Sequence, residues 1–170
     1  MPDLSRDTAA RLDQALEEFA HLQQAFIDAS SLIYTRKCGF LTPLAETLSL
    51  QTIPGVLAET GWPELPISIY HQAGAGEPTD DLLLRAALQE GLPVISEDKK
   101  ILTRVISGGL ACFNAVMMLH FLYYKKVLDA GRHNACLEKL KGIARYSPGI
   151  WEFSGRVFTR VAKLRHNPPA

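Results

Sequence analysis

The chain has 170 residues, 47% hydrophobic and 21% charged, and its 18 basic and 18 acidic side chains cancel. That is one ordinary domain with a sizeable core, and it excludes a disordered or collagen-like chain. The zero sum hides an asymmetry: residues 1–124 carry 8 basic against 15 acidic side chains and residues 125–170 carry 10 against 3, so a polyanion is repelled by the first part unless cations neutralise the acids.

Leu12, Leu16 and Phe19, spaced by four and three among polar residues, predict an opening amphipathic helix. Phe26-Ile27 predicts a short buried strand running into Asp28-Ala29-Ser30-Ser31, a helix-starting cluster, and the helix that follows stops at Gly39. Thr42 and Pro43 predict the N-cap and first turn of a helix over 44–48. Thr52-Ile53 reads as a strand remnant, and Pro54 opens a helical turn carrying Val56, Leu57 and Glu59 that Gly61 and Pro63 end. Residues 67–70 alternate as a strand, and 71–78 read as a loop. Thr79 predicts the cap of a helix over 80–90, stopped by Gly91. Residues 92–95 read as a strand, 96–98 as a turn, 99–106 as a helix and 110–113 as another apolar strand. A long helix is expected from Asn114 to about Asp129, then helices over 134–146 and 150–164. Strands separated by helices, with no Asn-Gly hairpin, predict an α/β fold with a parallel sheet covered on both faces.

No apolar run reaches the about 18 residues of a membrane span; the longest candidate, 115–127, is broken by His120, Lys125 and Lys126, so no membrane partner is expected. The acidic N-terminus lacks an export-signal layout, which points to a cytoplasmic protein. Cys38, Cys112 and Cys136 lack metal-ligand spacing and read as reduced, mostly buried thiols.

Open α/β sheets bind ligands beyond the carboxyl ends of their strands. Asp28 and Asp98 follow strands there, Asp80 opens the helix leading into the 92–95 strand, and Glu59 ends the short helix after Ile53. Each has an ordinary role when taken singly: an N-cap for Asp28 or Asp98, a first-turn charge for Asp80 with Asp81 beside it, an exposed helix residue for Glu59. Taken together they form a set of carboxylates that repel one another until some protonate or a cation sits between them. Oxygen ligation without cysteine suits Mg²⁺ or Mn²⁺. Ser30 lies two residues after Asp28 and Ser96 two before Asp98; no base is placed to make either a nucleophile, and the five histidines are scattered along the chain.

In order and spacing this pattern resembles the PIN-domain family of metal-dependent nucleases. Phe26-Ile27-Asp28-Ala29-Ser30-Ser31 resembles the family's opening strand and Asp-x-Ser turn, and Ile53-Pro54-Gly55-Val56-Leu57-Ala58-Glu59 its second motif. Asp80-Asp81-Leu82-Leu83-Leu84-Arg85-Ala86-Ala87-Leu88 resembles the third, and Leu92-Pro93-Val94-Ile95-Ser96-Glu97-Asp98 the fourth. The resemblance covers about residues 26–128 and implies a three-layer α/β/α sandwich with a central parallel sheet, plus extra N- and C-terminal helices. The expected division is a helical extension over 1–25, a PIN-like core over 26–130 and basic C-terminal helices over 131–170 packed on the same domain.

The resemblance implies a Mg²⁺- or Mn²⁺-dependent endoribonuclease with Asp28, Glu59, Asp80 and Asp98 as catalytic metal ligands and Ser30 and Ser96 orienting carboxylates or metal-bound waters. Asp81 and Glu97 are spare acids beside them. Arg36, Lys37, Lys99, Lys100 and Arg104 are candidates to hold the RNA backbone, with Arg145, Arg156, Arg160 and Lys163 further along. The run over 140–147 resembles the tail of a bacterial PIN subgroup often found as the toxin of a toxin–antitoxin pair, which implies an antitoxin protein as partner. The apolar residues 117–124 exceed what one helix face needs, which a homodimer and a central helix buried on two sides explain equally. The alternative function is a PIN-fold module that binds nucleic acid or protein without turnover. A phosphatase or response-regulator-like protein fits less well, because no Lys follows a late strand where such a site needs one.

Overall fold

Five short strands pair in parallel throughout: β1 (Gln24–Ile27), β2 (Ser49–Thr52), β3 (Ser68–Ile69), β4 (Val94–Ile95) and β5 (Cys112–Phe113), in the order β3-β2-β1-β4-β5. The computed structural model describes residues 4–62, 64–72, 74 and 76–166. Among them the helices are α1 (Leu4–His21), α2 (Ala29–Cys38), α3 (Leu41–Thr47), α4 (Pro54–Thr60), α5 (Thr79–Glu90), α6 (Lys99–Ser107), α7 (Ala115–Tyr124), α8 (Ala130–Ile143) and α9 (Pro148–His166).

Parallel neighbours need crossover connections, and these are right-handed almost without exception. The chain steps outward from β1 to β2 and β3, then returns past β1 to β4 and β5, and this reversal sends the two sets of crossover helices to opposite faces. The packing agrees: α2 rests on α3 and α4, while α5 rests on α6 and β1. α7 packs on α2, α3, α8 and α9, and α9 packs on α1, thickening the α2 side. The α/β class and parallel sheet are as expected, and the arrangement is consistent with a three-layer sandwich.

Gly39 ends α2 at φ 85° and Gly91 ends α5 at φ 65°, left-handed conformations that cost a side chain energy. Phe19 of α1 is fully buried, its ring centroid 5.7 Å from Phe121 and 6.2 Å from Phe113, so the expected apolar stripe joins the core. All three cysteines are free, with Cys38 and Cys136 buried.

Several boundaries differ from expectation. α3 begins at Leu41, not Leu44; Phe40 stands at its N-cap without a side-chain bond, because burying Phe40 and Leu41 outweighs the cap Thr42 would have offered. Thr79 is the first residue of α5 rather than its cap. The strand at Thr52-Ile53 starts earlier, at Ser49, and those expected over 67–70, 92–95 and 110–113 shorten to two residues each. The stop expected from Pro63 lies outside the described residues. α7 ends at Tyr124, five residues short: Lys126 turns left-handed at φ 62°, the Val127 amide bonds back to the Leu122 carbonyl, and Leu128 folds into the core. Arg165 Nη1 secures the turn by donating to the carbonyls of Tyr123 (3.0 Å) and Leu128 (2.9 Å).

Residues 115–123 are buried within this one chain, so the apolar run gives no ground for a homodimer. Among the described residues no helix is long and apolar enough to cross a membrane.

Candidate active site

β1 and β4 lie side by side at the centre of the sheet, and the chain leaves them in opposite directions. Such a reversal opens a crevice beyond the carboxyl ends of the two strands. Asp28 stands at the end of β1 and Ser96 at the end of β4, held by the sheet's own ladder: the Asp28 amide donates to Ile95 O (3.0 Å) and the Ser96 amide to Phe113 O (2.9 Å). The Ser96 hydroxyl crosses the crevice to donate to Asp28 Oδ2 (2.5 Å) and accepts the Asp98 amide (3.0 Å), so one side chain joins both aspartates. Asp28 is 5% exposed and caps α2, its Oδ1 taking the Ser31 amide at 2.7 Å. Burial pushes its carboxyl up, and the donors Ser96, Ser31 and the Glu97 backbone offset part of that rise.

Asp98, Glu59 and Asp80 are exposed around this buried floor. Asp98 caps α6 by accepting the Lys100 amide at 2.6 Å. The start of α5, which carries Asp80, is seated against the start of α4, whose far end carries Glu59, because Gly55 has no side chain; a Cβ there would stand 2.9 Å from Thr79 Oγ1. Asp80 is raised first by partial burial, then by the charges of Asp98, Glu59 and Asp81, with Arg104 offsetting a little. Asp80 therefore feels the charges of two other expected acids, and Asp28 forms the floor between the strands. Asp81 points elsewhere and pairs with Arg104 at 2.6 Å. Among the described residues no Lys or Arg forms an ion pair with Asp28, Glu59, Asp80 or Asp98. Nor, among those residues, do three His, Cys, Asp or Glu side chains stand close enough as placed to hold a metal ion together.

The two expected serines fare differently. Ser96 orients Asp28 as anticipated, whereas Ser30 is exposed and has no hydrogen-bond partner among the described residues. Its neighbour Ser31 takes the role: a cap side chain can reach the second or the third helical residue, and Asp28 takes the amide of the third. The Ser31 hydroxyl also donates to Glu97 Oε1 (3.0 Å), which accepts the Ala115 amide (2.7 Å), while Glu97 Oε2 accepts the Tyr146 hydroxyl (2.5 Å). Ser31 and Tyr146 were missed from the sequence; the capping rule narrows the first only to Ser30 or Ser31, and nothing local marks the second.

The expected RNA-binding residues are spread around the edge. Lys99 and Lys100 are exposed in the first turn of α6 beside Asp98, where the helix dipole disfavours cations. Arg36 lies over the Trp62 ring at 4.2 Å, Lys37 is exposed, and Arg104 is occupied by Asp81. In the C-terminal helices Arg156 pairs with Glu152 and Arg160 with Asp13.

The histidines are less scattered than expected. His120 Nδ1 lies 2.9 Å from His133 Nε2, His120 Nε2 2.7 Å from Ser154 Oγ, and a cavity of about 410 Å³ walled by Leu137, Trp151 and Phe158 adjoins them. Burial, then His133, pushes His120 down to about 3. A histidine so held is a poor proton acceptor for a serine hydroxyl, and the cluster reads as a neutral hydrogen-bonded link between helices rather than a nucleophilic site.

No family model, curated protein or solved structure matches the chain.

Proposed function

We propose that the chain is a PIN-like endoribonuclease that hydrolyses RNA phosphodiesters with Mg²⁺ or Mn²⁺ at the carboxyl edge of β1 and β4. The observation that carries this reading is the junction at the carboxyl ends of β1 and β4: the Ser96 hydroxyl donates to the buried Asp28 and accepts the Asp98 amide, and neither aspartate has an ion-pair partner among the described residues. Asp80 is raised beside them, first by burial and then by the charges of Asp98, Glu59 and Asp81. Such a hollow is relieved by protonation or by a cation, and its donors are all hard oxygens of the kind Mg²⁺ and Mn²⁺ take.

The donors suit a hard ion in kind, although no three of them stand together as placed. Asp28, Glu59, Asp80 and Asp98 would hold it by closing on it, and each Asp28 oxygen keeps a lone pair beyond its bond to Ser31 or Ser96. When bound, the ion would polarise a phosphodiester and make a water acidic enough to attack it. The chain's own residues supply the rest. Ser96 and Ser31 fix Asp28, the α6 cap fixes Asp98, and Gly55 lets the start of α5 sit against the start of α4. Lys99 and Lys100 offer a phosphate two cations beside the acids. The open edge suits a polymer laid across it better than a small enclosed substrate. That the activity is a toxin's, restrained by an antitoxin protein, rests on the run over 140–147 alone.

The purified chain should cleave a single-stranded or looped RNA when Mg²⁺ or Mn²⁺ is supplied and stop when it is chelated. Asp28→Asn and Asp98→Asn should abolish cleavage with the fold intact, as Asn also caps helices. No cleavage of any RNA by the cation-supplied wild type would refute this function. A second reading, a PIN-fold module that binds nucleic acid without turnover, is favoured by one observation: no three ligands stand together as placed. It predicts RNA binding that persists in EDTA.

A further inference from the structure

Glu97 lies between Ser96 and Asp98 and behaves like neither. Its side chain turns inward and accepts three donors from three separate parts of the chain: the Ser31 hydroxyl of α2, the Ala115 amide that opens α7, and the Tyr146 hydroxyl of the linker between α8 and α9. The first of these contacts helps to close a ring around Asp28. Ser31 gives its amide to Asp28 and its hydroxyl to Glu97, while the Glu97 backbone faces Asp28 directly. Tyr146 is braced in turn by the Trp151 ring of α9, 5.0 Å from its own.

These bonds hold the 96–98 turn, the segment that sends Ser96 down onto Asp28 and Asp98 out to cap α6. Both Glu97 oxygens are engaged by donors from three separate segments, so the side chain ties those segments to the turn. We infer that Glu97 is a positioning residue, clamped by Tyr146, that fixes the placement of Asp28 relative to Asp98, so that the linker between the last two helices is a working part of the carboxylate site. The inference rests on the proposed cation site and deepens it. Residues that orient ligands through hydrogen bonds alter metal affinity or activity by about tenfold to a hundredfold when removed.

The test is titration of the full chain with Mn²⁺, followed as the rise in unfolding temperature, for wild type, Glu97→Gln, Glu97→Ala and Tyr146→Phe. Gln keeps an acceptor for Ser31 and Ala115, and its amide meets a hydroxyl able to accept, so Glu97→Gln should hold Mn²⁺ affinity within about threefold of wild type, well inside the loss expected of a broken positioning contact. Glu97→Ala and Tyr146→Phe should weaken it by about tenfold or more. Tyr146→Phe keeps the ring against Trp151, so it decides the matter even if Glu97→Ala fails to fold. If wild type responds to Mn²⁺ and Tyr146→Phe responds equally, the positioning role is overturned while the cation site stands. If Glu97→Gln loses the response as fully as Glu97→Ala, the charge of Glu97 is what matters, and the inference is again overturned. If wild type gives no response, the cation site falls, and the positioning role falls with it.

Discussion

Acidification should strain the link between α7, α8 and α9, and the effect can be worked out from His120. The chain of bonds runs from Ser154 on α9 through His120 on α7 to His133 on α8, whose Nδ1 lies 3.5 Å from Asn134 Oδ1. If His133 donates to Asn134, its Nε2 accepts from His120 Nδ1, and His120 Nε2 accepts from Ser154, so both rings are satisfied while neutral. A proton on His120 would break that order and place a charge on a 1% exposed ring, beside His133 and with Arg165 close behind it. His133 is also held down, by burial first and by Arg165.

The folded value of His120, about 3, lies below the ordinary 6.5. The unfolded chain therefore binds the proton first, and folding stability is lost as pH falls from 6.5 toward 3. Between about pH 7 and pH 5 the unfolded histidine gains about 2 kcal/mol that the folded one does not. Asp28 and Glu97 act in the opposite sense, since a raised folded value gains stability as pH falls through it. The quantity to measure is therefore a difference: urea denaturation of wild type and His120→Gln at the two pH values. Wild type should lose about 2 kcal/mol more than the variant over that interval, whatever their stabilities at neutral pH. Equal losses would refute the assignment of His120 as a buried, neutral histidine.

Two further outcomes follow from the site's frame. Asp98→Ala should lower stability by about 1 kcal/mol through loss of the α6 cap, and Asp98→Asn by much less; equal losses in chemical denaturation would show that capping is not what Asp98 gives the fold. Gly55→Ala should be destabilising despite a helix-propensity gain of about 1 kcal/mol, because the added methyl meets Thr79 Oγ1 at 2.9 Å and Cγ2 at 3.0 Å, so rotating the threonine merely exchanges one clash for another; a more stable variant would refute the close seating of α4 on α5.

The fold was legible where one local cause dominates. Gly39, Gly61 and Gly91 end helices as read, and the Phe26-Ile27 run is buried on both sides as a central parallel strand demands. Boundaries were misread where tertiary burial competes with local chemistry. Phe40 occupies an N-cap that hydroxyl preference assigns to Thr42, and Thr79 packs against Gly55 instead of capping α5. The early end of α7 depends on Arg165, about forty residues downstream, which no pattern near Tyr124 contains.

The same distinction divides the site. The acids could be found because strand ends are marked in the sequence and aspartate is conspicuous there, but side-chain direction is set by rotation. Asp80 and Asp81 are adjacent and chemically identical, yet about 100° of helical turn separates them. One has no ion-pair partner among the described residues, and the other pairs with Arg104. Glu97 and Asp98 divide likewise, one turned in and the other out. The partners that fix Glu97 lie 66, 18 and 49 positions away, at Ser31, Ala115 and Tyr146. Chemistry read from residue type thus singled out acids that the fold carries to one edge of the sheet, while the assignment of each to an ion pair, a brace or an open face required the packing of distant segments.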